Sequence, residues 1–411
     1  MHIKSRVGTV VILGTAQTLA WASSYYLPAM LASSMANDLG ISVQAVFAGF
    51  SAALVLSALI GPWAGHCIDR WGGRPVLMAT NLVFALGIAG LALAPSPVMF
   101  FAAWLVIGLG MGAGLYEAAF SALVRLYGHQ SRNAITGITL LAGFASTVGW
   151  PLSAWLELHY GWRAACFAWA GLHLFLGLPL NALLPKAPLI DSTVHLPAGT
   201  NKTNTQERPN PGEPPVPAAP AQRETALRQA SWLLALVFAI TWFISTSMAA
   251  HLPTLLQSTG LSLASAVAIG ALVGPAQVAG RILEFGVLRH VHPLLSAKLA
   301  AMAHPAGAAL LMIFAGPAAI VFTLLHGAGN GILTIAKGTL PLVIFGPGGY
   351  GMRQGLLMIP ARMAQAISPF LFGVLIERWG LAALWVSAAL GLISFGALLR
   401  LGRLDYGKSS A

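Results

Sequence analysis

One feature repeats along almost the whole chain: apolar runs of about twenty residues, separated by short turns. In lipid, such a run can satisfy its backbone polar groups only as a helix. The number and spacing of the runs therefore set the architecture. We read twelve, at residues 7–35, 42–66, 75–94, 97–124, 133–157, 162–185, 230–256, 262–288, 295–315, 317–343, 353–376 and 380–402. Only 8% of residues are charged and 57% are hydrophobic, whereas a soluble domain is about a quarter charged. The expected fold class is an all-α membrane protein with twelve transmembrane helices. The first segment, with Lys4 and Arg6 ahead of an apolar core, has the outline of a signal peptide. With so many spans to follow, an uncleaved first helix is expected.

One interval breaks the rhythm. Residues 186–229 are rich in Pro, Asn, Thr and charge, a composition unable to bury a core. They read as a cytoplasmic disordered linker between a six-helix bundle at 1–185 and another at 230–411. The halves echo each other at equivalent places. "LPAML" at 27–31 followed by "LGIS" at 39–42 matches "LPTLL" at 252–256 followed by "GLS" at 260–262. "ELHYGWRAACFAW" at 157–169 opens the sixth span much as "ERWGLAALW" at 377–385 opens the twelfth. Such echoes fit a parallel repeat of two six-helix units.

The net charge of +11 does not form a basic face with interleaved aromatics, so nucleic acid is not an expected partner. The basic residues lie in turns. Lys4, Arg6, Arg70, Arg74, Arg125, Arg132, the linker cations, Arg289, Lys298, Arg353, Arg400, Arg403 and Lys408 fall on one side; Arg163 and Arg378 fall on the other. The positive-inside rule then puts both termini in the cytoplasm of a multi-pass protein of the inner (plasma) membrane. Cys67 and Cys166 lie near opposite membrane faces and are expected free, since no metal-ligand spacing involves them.

Between the second and third spans the chain reads "GHCIDRWGGRPVL". Gly65, Asp69, Arg70, Gly72, Gly73 and Arg74 at this place resemble the G-x-x-x-D-R-x-G-R/G-R motif of the major facilitator superfamily. The resemblance covers nearly the whole chain and implies a transporter of two six-helix bundles. Physically, Gly65 permits close helix approach, and Asp69 can accept from the N-terminal amides of a facing helix. Arg70 and Arg74 can pair with acids or lipid phosphates. These residues are read as a conformational latch, against the plainer reading of a topogenic basic turn. The corresponding turn of the second half, "FGVLRHVHP" at 285–293, keeps Gly286 but has His290 where Asp69 stands. A weaker latch is expected there. The arginine that many members carry in the fourth helix is replaced by Trp104 ahead of Gly108, and the antiporter pattern is partial at Gly149 and Pro151.

A narrower resemblance is to the oxalate–formate and monocarboxylate porter branch, carried by "GPAQVAGRILEFG" and "GLLMIPARMAQAISPFLFG". It places cations at Arg281 and Arg362, and Gln277 stands where an Asp is common. Arg281 lies eight residues from Arg289, roughly 12 Å along a helix, and Arg362 lies at a similar height above Arg353. Both are near the middle of a hydrocarbon core about 30 Å thick. A charge there needs a partner or a wet cavity. Two guanidinium forks at one depth suit a carboxylate; the alternatives are a pair between Arg281 and Glu284, and packing of Arg362 near Pro360. Glu117 and Lys337 occupy equivalent spans, so Glu117 is either a proton carrier or half of a gate with Lys337. His326 and Asn330, one turn apart, and Tyr25 complete the expected substrate-binding set with Arg281, Arg362 and Gln277. The reading is a secondary transporter of a small organic anion working by alternating access, coupled to protons or exchange; the alternative is efflux of drug-like or amphipathic compounds. No catalytic constellation or nucleotide loop is evident. A monomer in the bilayer, without cofactor, whose partners are a small molecule and protons, is expected.

Overall fold

Breaks in the helices, rather than the helices themselves, shape the centre of this protein. The structure, a computed structural model, describes residues 5–187 and 220–404; most of the expected linker lies outside them, and its last ten residues, 220–229, are helical rather than disordered, forming the start of the tenth helix. Sixteen α-helices run in order: α1 (Arg6–Ser23), α2 (Leu27–Leu39), α3 (Val43–Trp71), α4 (Gly73–Leu93), α5 (Pro97–Gly114), α6 (Tyr116–Tyr127), α7 (Arg132–Ala142), α8 (Ala145–Leu172), α9 (Leu178–Ala182), α10 (Pro220–Gln257), α11 (Leu263–Gly270), α12 (Val273–Gly286), α13 (Pro293–Phe314), α14 (Ala319–Phe345), α15 (Tyr350–Trp379) and α16 (Ala383–Leu401). Eight continuous helical stretches are long and apolar enough to cross a membrane. Pro97–Ala182 holds three spans, folded back near Gly128 and at Gly161, and Tyr350–Leu401 holds two, folded back at Gly380. With α1 and α2 making one crossing, the spans number twelve, in two bundles of six.

Four spans that read as continuous in the sequence are interrupted: at Ser24–Tyr26, at Leu115, at Gly143–Phe144 and at Ala271–Leu272. Hydropathy averages over a window and does not register a local break. Each break frees backbone groups that lipid cannot satisfy, and side chains meet several of them. Gln17 donates to the Gly114 carbonyl at 2.7 Å, and Thr18 donates to the Leu141 carbonyl at 3.2 Å. The echoed "LGIS" and "GLS" end in Ser42 and Ser262, whose hydroxyls accept from Ala45 and Ser265 amides as N-caps of α3 and α11.

The bundles meet through α3 on α15, α6 on α14 and α15, and α7 on α12 and α14. Apart from α3, α14 and α15, which run the full thickness, these contacts use the half-helices nearest Asp69, Arg125, Arg132 and Arg289. We call this the basic end. On the far side, α11 buries only Ala266.

Candidate functional site

At the centre, between the bundles, two indoles stack. Trp21 on α1 and Trp242 on α10 have ring centroids 6.2 Å apart and planes 9° apart. Tyr25 and Tyr116 pack on Trp21 at 5.2 and 4.9 Å. Tyr25 also reaches Trp242 at 6.3 Å. Two cations also lie against Trp242. Lys337 Nζ sits 4.0 Å from its centroid and Arg362 Cζ 5.5 Å, a cation–π arrangement in a desolvated setting.

One carboxylate balances them. Arg362 Nη2 donates to Glu117 Oε2 at 2.8 Å, and Arg362 Nη1 donates to Gln365 Oε1 at 3.1 Å. Glu117 falls in the first turn of α6 because Leu115 breaks the fourth span. The new helix N-terminus favours an acid there. Arg362 is 3% exposed and Lys337 5%, so neither charge is spent on bulk water.

The expected gate between Glu117 and Lys337 is not formed. Glu117 pairs with Arg362 instead, and Lys337 rests on Trp242. Arg281 is buried but held elsewhere: its Nη1 donates to the Thr139 carbonyl at the α7 break, and its Nη2 reaches Gln277 Oε1 at 3.5 Å. Its Nε is buried without a partner among the described residues. The sequence alternative of an Arg281–Glu284 pair is corrected as well. Glu284 crosses to the other bundle and takes Arg132 Nη2 at 3.0 Å. His326 and Asn330 do not face the indoles. They line a cavity of about 30 Å³ inside the C-terminal bundle, where Asn330 donates to Ser245 Oγ at 3.0 Å. Most of the stretch between 65 and 74 is the last turns of α3 and not a turn, with Gly72 (φ +83°) making the reversal.

Two clasps tie the bundles at the basic end. Asp69 Oδ1 accepts from the Gly351 amide at 2.9 Å, and Oδ2 from the Met352 amide at 3.0 Å. These are the second and third amides of α15. A β-carbon on Gly65 would overlap the Gly351 carbonyl, and one on Gly355 would overlap Pro62. Gly61, Gly65, Gly351 and Gly355 therefore make a backbone-to-backbone crossing of small residues. Gly73 packs as closely on Ala122. Arg70 lies over the Trp71 ring at 5.9 Å, and Arg74 Nη1 is buried without a partner among the described residues. The second clasp uses no carboxylate at His290. Arg132, at the start of α7, donates to the Leu288 and Val291 carbonyls at 3.2 and 3.1 Å as well as to Glu284. Cys67 and Cys166 are buried and free.

A family profile described as Major Facilitator Superfamily matches residues 13–303. The chain belongs to the major facilitator superfamily. It is therefore a multi-pass membrane transporter rather than an enzyme. Two solved superfamily structures share its fold over 96% of this chain. The human organic anion transporter MFSD10 has a TM-score of 0.66 at 19% identity, with 99% of that chain covered. The proton:xylose symporter XylE has 0.71 at 13% identity, with 95% covered. Among curated proteins, a gallate transporter of Pseudomonas putida is 29% identical over 280 residues, 64% of this chain and 61% of that protein. The 4-hydroxybenzoate transporter PcaK of Pseudomonas putida is 26% identical over 265 residues, 59% of this chain and 57% of that protein. A chloramphenicol resistance protein of Pseudomonas aeruginosa is 32% identical over 172 residues, 41% of this chain and 40% of that protein. The chain thus matches less than two thirds of the length of each. These matches do not single out the monocarboxylate branch.

Sequence reasoning missed Trp21, which no spacing rule marks among twelve tryptophans. It also missed Arg132 as a bundle clasp and His304 as a partner of His326. All three take their meaning from tertiary neighbours.

Proposed function

We propose that this superfamily member moves a small carboxylate, with an aromatic carboxylate as its best-fitting cargo, across the inner (plasma) membrane by alternating access. The observation that carries the reading is Trp242 in contact with both Lys337 and Arg362 and stacked with Trp21. A carboxylate fits the two cations, and an aromatic ring fits the indole and tyrosine walls. The gallate and 4-hydroxybenzoate transporters among its relatives point to the same chemistry. Incoming carboxylate would compete with Glu117 for Arg362, so binding would loosen a link between α6 and α15.

On the positive-inside reading, the basic end faces the cytoplasm, with both termini there and the linker at 186–229 joining the bundles. The described arrangement, clasped at that end, is then the outward-facing state. The Asp69 clasp holds it closed inside, and the protein works as a monomer. Efflux of drug-like aromatic compounds is the second reading, favoured by the breadth of the aromatic wall and by the chloramphenicol resistance relative.

Purified protein in proteoliposomes tests these readings against each other. Uptake of labelled 4-hydroxybenzoate that is abolished in Arg362→Ala supports the carboxylate reading. Uptake left intact in that variant, or transport of chloramphenicol in preference to the acid, refutes it.

A further inference from the structure

Inside the C-terminal bundle, beside the cationic site, two imidazoles face each other. His304 Nδ1 on α13 and His326 Nδ1 on α14 stand 3.0 Å apart, and both rings are buried. His304 Nε2 lies 3.0 Å from Ser387 Oγ, and the Ser387 hydroxyl is also 2.9 Å from the Leu384 carbonyl. Phe322 covers both rings. His326 lines the cavity of about 30 Å³, which has room for about two waters.

Counting protons shows what this geometry permits. Two neutral imidazoles carry two ring protons on four nitrogens. A bond between two Nδ1 atoms needs a proton on one and a lone pair on the other. In one neutral arrangement, His304 donates from Nδ1 and accepts the Ser387 proton at Nε2. In the other, His326 donates from Nδ1, His304 Nε2 donates to Ser387, and Ser387 donates to the Leu384 carbonyl. That second arrangement leaves the His326 Nε2 lone pair without a protein partner, on the ring that lines the cavity. One more proton there gives three N–H groups: one between the rings, one on Ser387 and one directed to cavity water. No heavy atom has to move.

We propose that the His304–His326 pair is a proton-binding site of this transporter, taking one proton at His326 Nε2 and holding it more tightly when an anion occupies the neighbouring cationic site. The proton comes from hydronium in the cavity and leaves water behind. The groups facing the pair are Thr241 and Ser245 from α10, Asn330 from α14, and Ser387 and Ser394 from α16. Among the described lining residues none is a carboxylate, lysine or arginine. A proton gained here therefore lacks a fixed counter-charge, and an unpaired buried charge is unfavourable. The cavity adjoins the indole site, however. Leu333 lines it one turn before Lys337, and Thr241 lines it next to Trp242. A carboxylate on Lys337 and Arg362 is the nearest available counter-charge, so anion and proton favour each other's binding reciprocally. Glu117 is already engaged by Arg362. The coupling half of this proposal rests on the carboxylate reading; the proton-binding half does not.

The test is nitrogen NMR of full-length protein in nanodiscs, labelled with 15N-histidine and titrated from mildly alkaline pH down to the acid limit of folding. His304→Gln and His326→Gln assign the signals. The expected result without ligand is that both histidines shift together over one titration step, with nitrogen–nitrogen coupling across the pair. Rings that keep the same two protons to the acid limit of folding overturn the proposal. Adding 4-hydroxybenzoate should move the step to higher pH. In proteoliposomes, His304→Gln should lose pH-gradient-driven accumulation of labelled 4-hydroxybenzoate and keep counterflow exchange. Accumulation left intact overturns the coupling, as does loss of both activities in a variant that melts normally. If the unmodified protein neither binds nor exchanges 4-hydroxybenzoate, the cargo reading fails, and the ligand-free titration still decides the proton site.

Discussion

Asp69→Asn should open the basic end. The carboxylate accepts two amides of α15 at 2.9 and 3.0 Å, and it brings a negative charge to that helix's positive end. Asparagine keeps one acceptor oxygen, turns an NH₂ toward the other amide and removes the charge. A hydrogen bond to a charged group is worth about 1.5–3 kcal/mol. Losing one such bond and weakening the other should cost about 2–3 kcal/mol, specifically in the clasped state. At about 1.4 kcal/mol per decade, that is roughly a 30- to 150-fold shift toward separation. A population starting at 1:99 would reach roughly a quarter to three fifths open.

Spin labels at His129 and Arg289, exposed at the basic end of opposite bundles, would report the change by double electron–electron resonance. The free cysteines Cys67 and Cys166 are first replaced by alanine. The expected outcome is a longer-distance population that is absent from the parent protein. An unchanged distribution in a folded Asp69→Asn protein would mean that the two amide bonds carry no differential energy between states, and the latch argument would fall.

Four other outcomes follow from the same geometry. Gly65→Ala places a β-carbon on the Gly351 carbonyl; the same distance measurement should shift toward separation, with a stability loss of about 1–3 kcal/mol in thermal melts. Trp242→Leu removes the ring under Lys337 and Arg362; at about 0.5–2 kcal/mol for cation–π contacts, the calorimetric Kd for 4-hydroxybenzoate should rise by about 2- to 30-fold. Arg132→Gln strands the buried Glu284 and should lower the melting temperature through a loss of up to about 3 kcal/mol, most of which Arg132→Leu with Glu284→Leu should restore. Arg362→Lys keeps the charge but loses the planar fork on Glu117 and Gln365, so 4-hydroxybenzoate uptake should fall sharply without a change in expression.

The span count and the Asp69 motif were legible because both are local. An apolar run is its own signal, and the G-x-x-x-D-R spacing puts Gly65 and Asp69 one turn apart on one helix. The breaks were not legible. Leu115 interrupts a run as apolar as any other, and only the fold shows that Gln17 supplies the donor the Gly114 carbonyl then needs. The charges were legible as a set but not as pairs. Depth along a helix suggested Arg281 with Arg362, yet rotation about the helix axis sends Arg281 to the Thr139 carbonyl and Arg362 to Glu117. Depth follows from counting residues, whereas azimuth depends on how neighbours pack.

The second-half clasp shows the same limit in a sharper form. A search for symmetry looks for a repeated residue type and finds His290 where a carboxylate is wanted. Pseudo-symmetry of a backbone does not require this. It repeats the meeting of one helix's C-terminal end with another's N-terminal end, and that meeting offers two solutions. An acid on the first helix can cap the amides of the second, as Asp69 caps α15. Alternatively, a cation at the start of the second can cap the carbonyls after the first, as Arg132 does at Leu288 and Val291. The two are electrostatically equivalent at a helix junction but opposite in residue type, so alignment of the halves reads the second as missing. The acid clasp presents a carboxylate to two amides. The basic one depends on Glu284 to orient its arginine, which makes it the more exposed of the two to a single substitution.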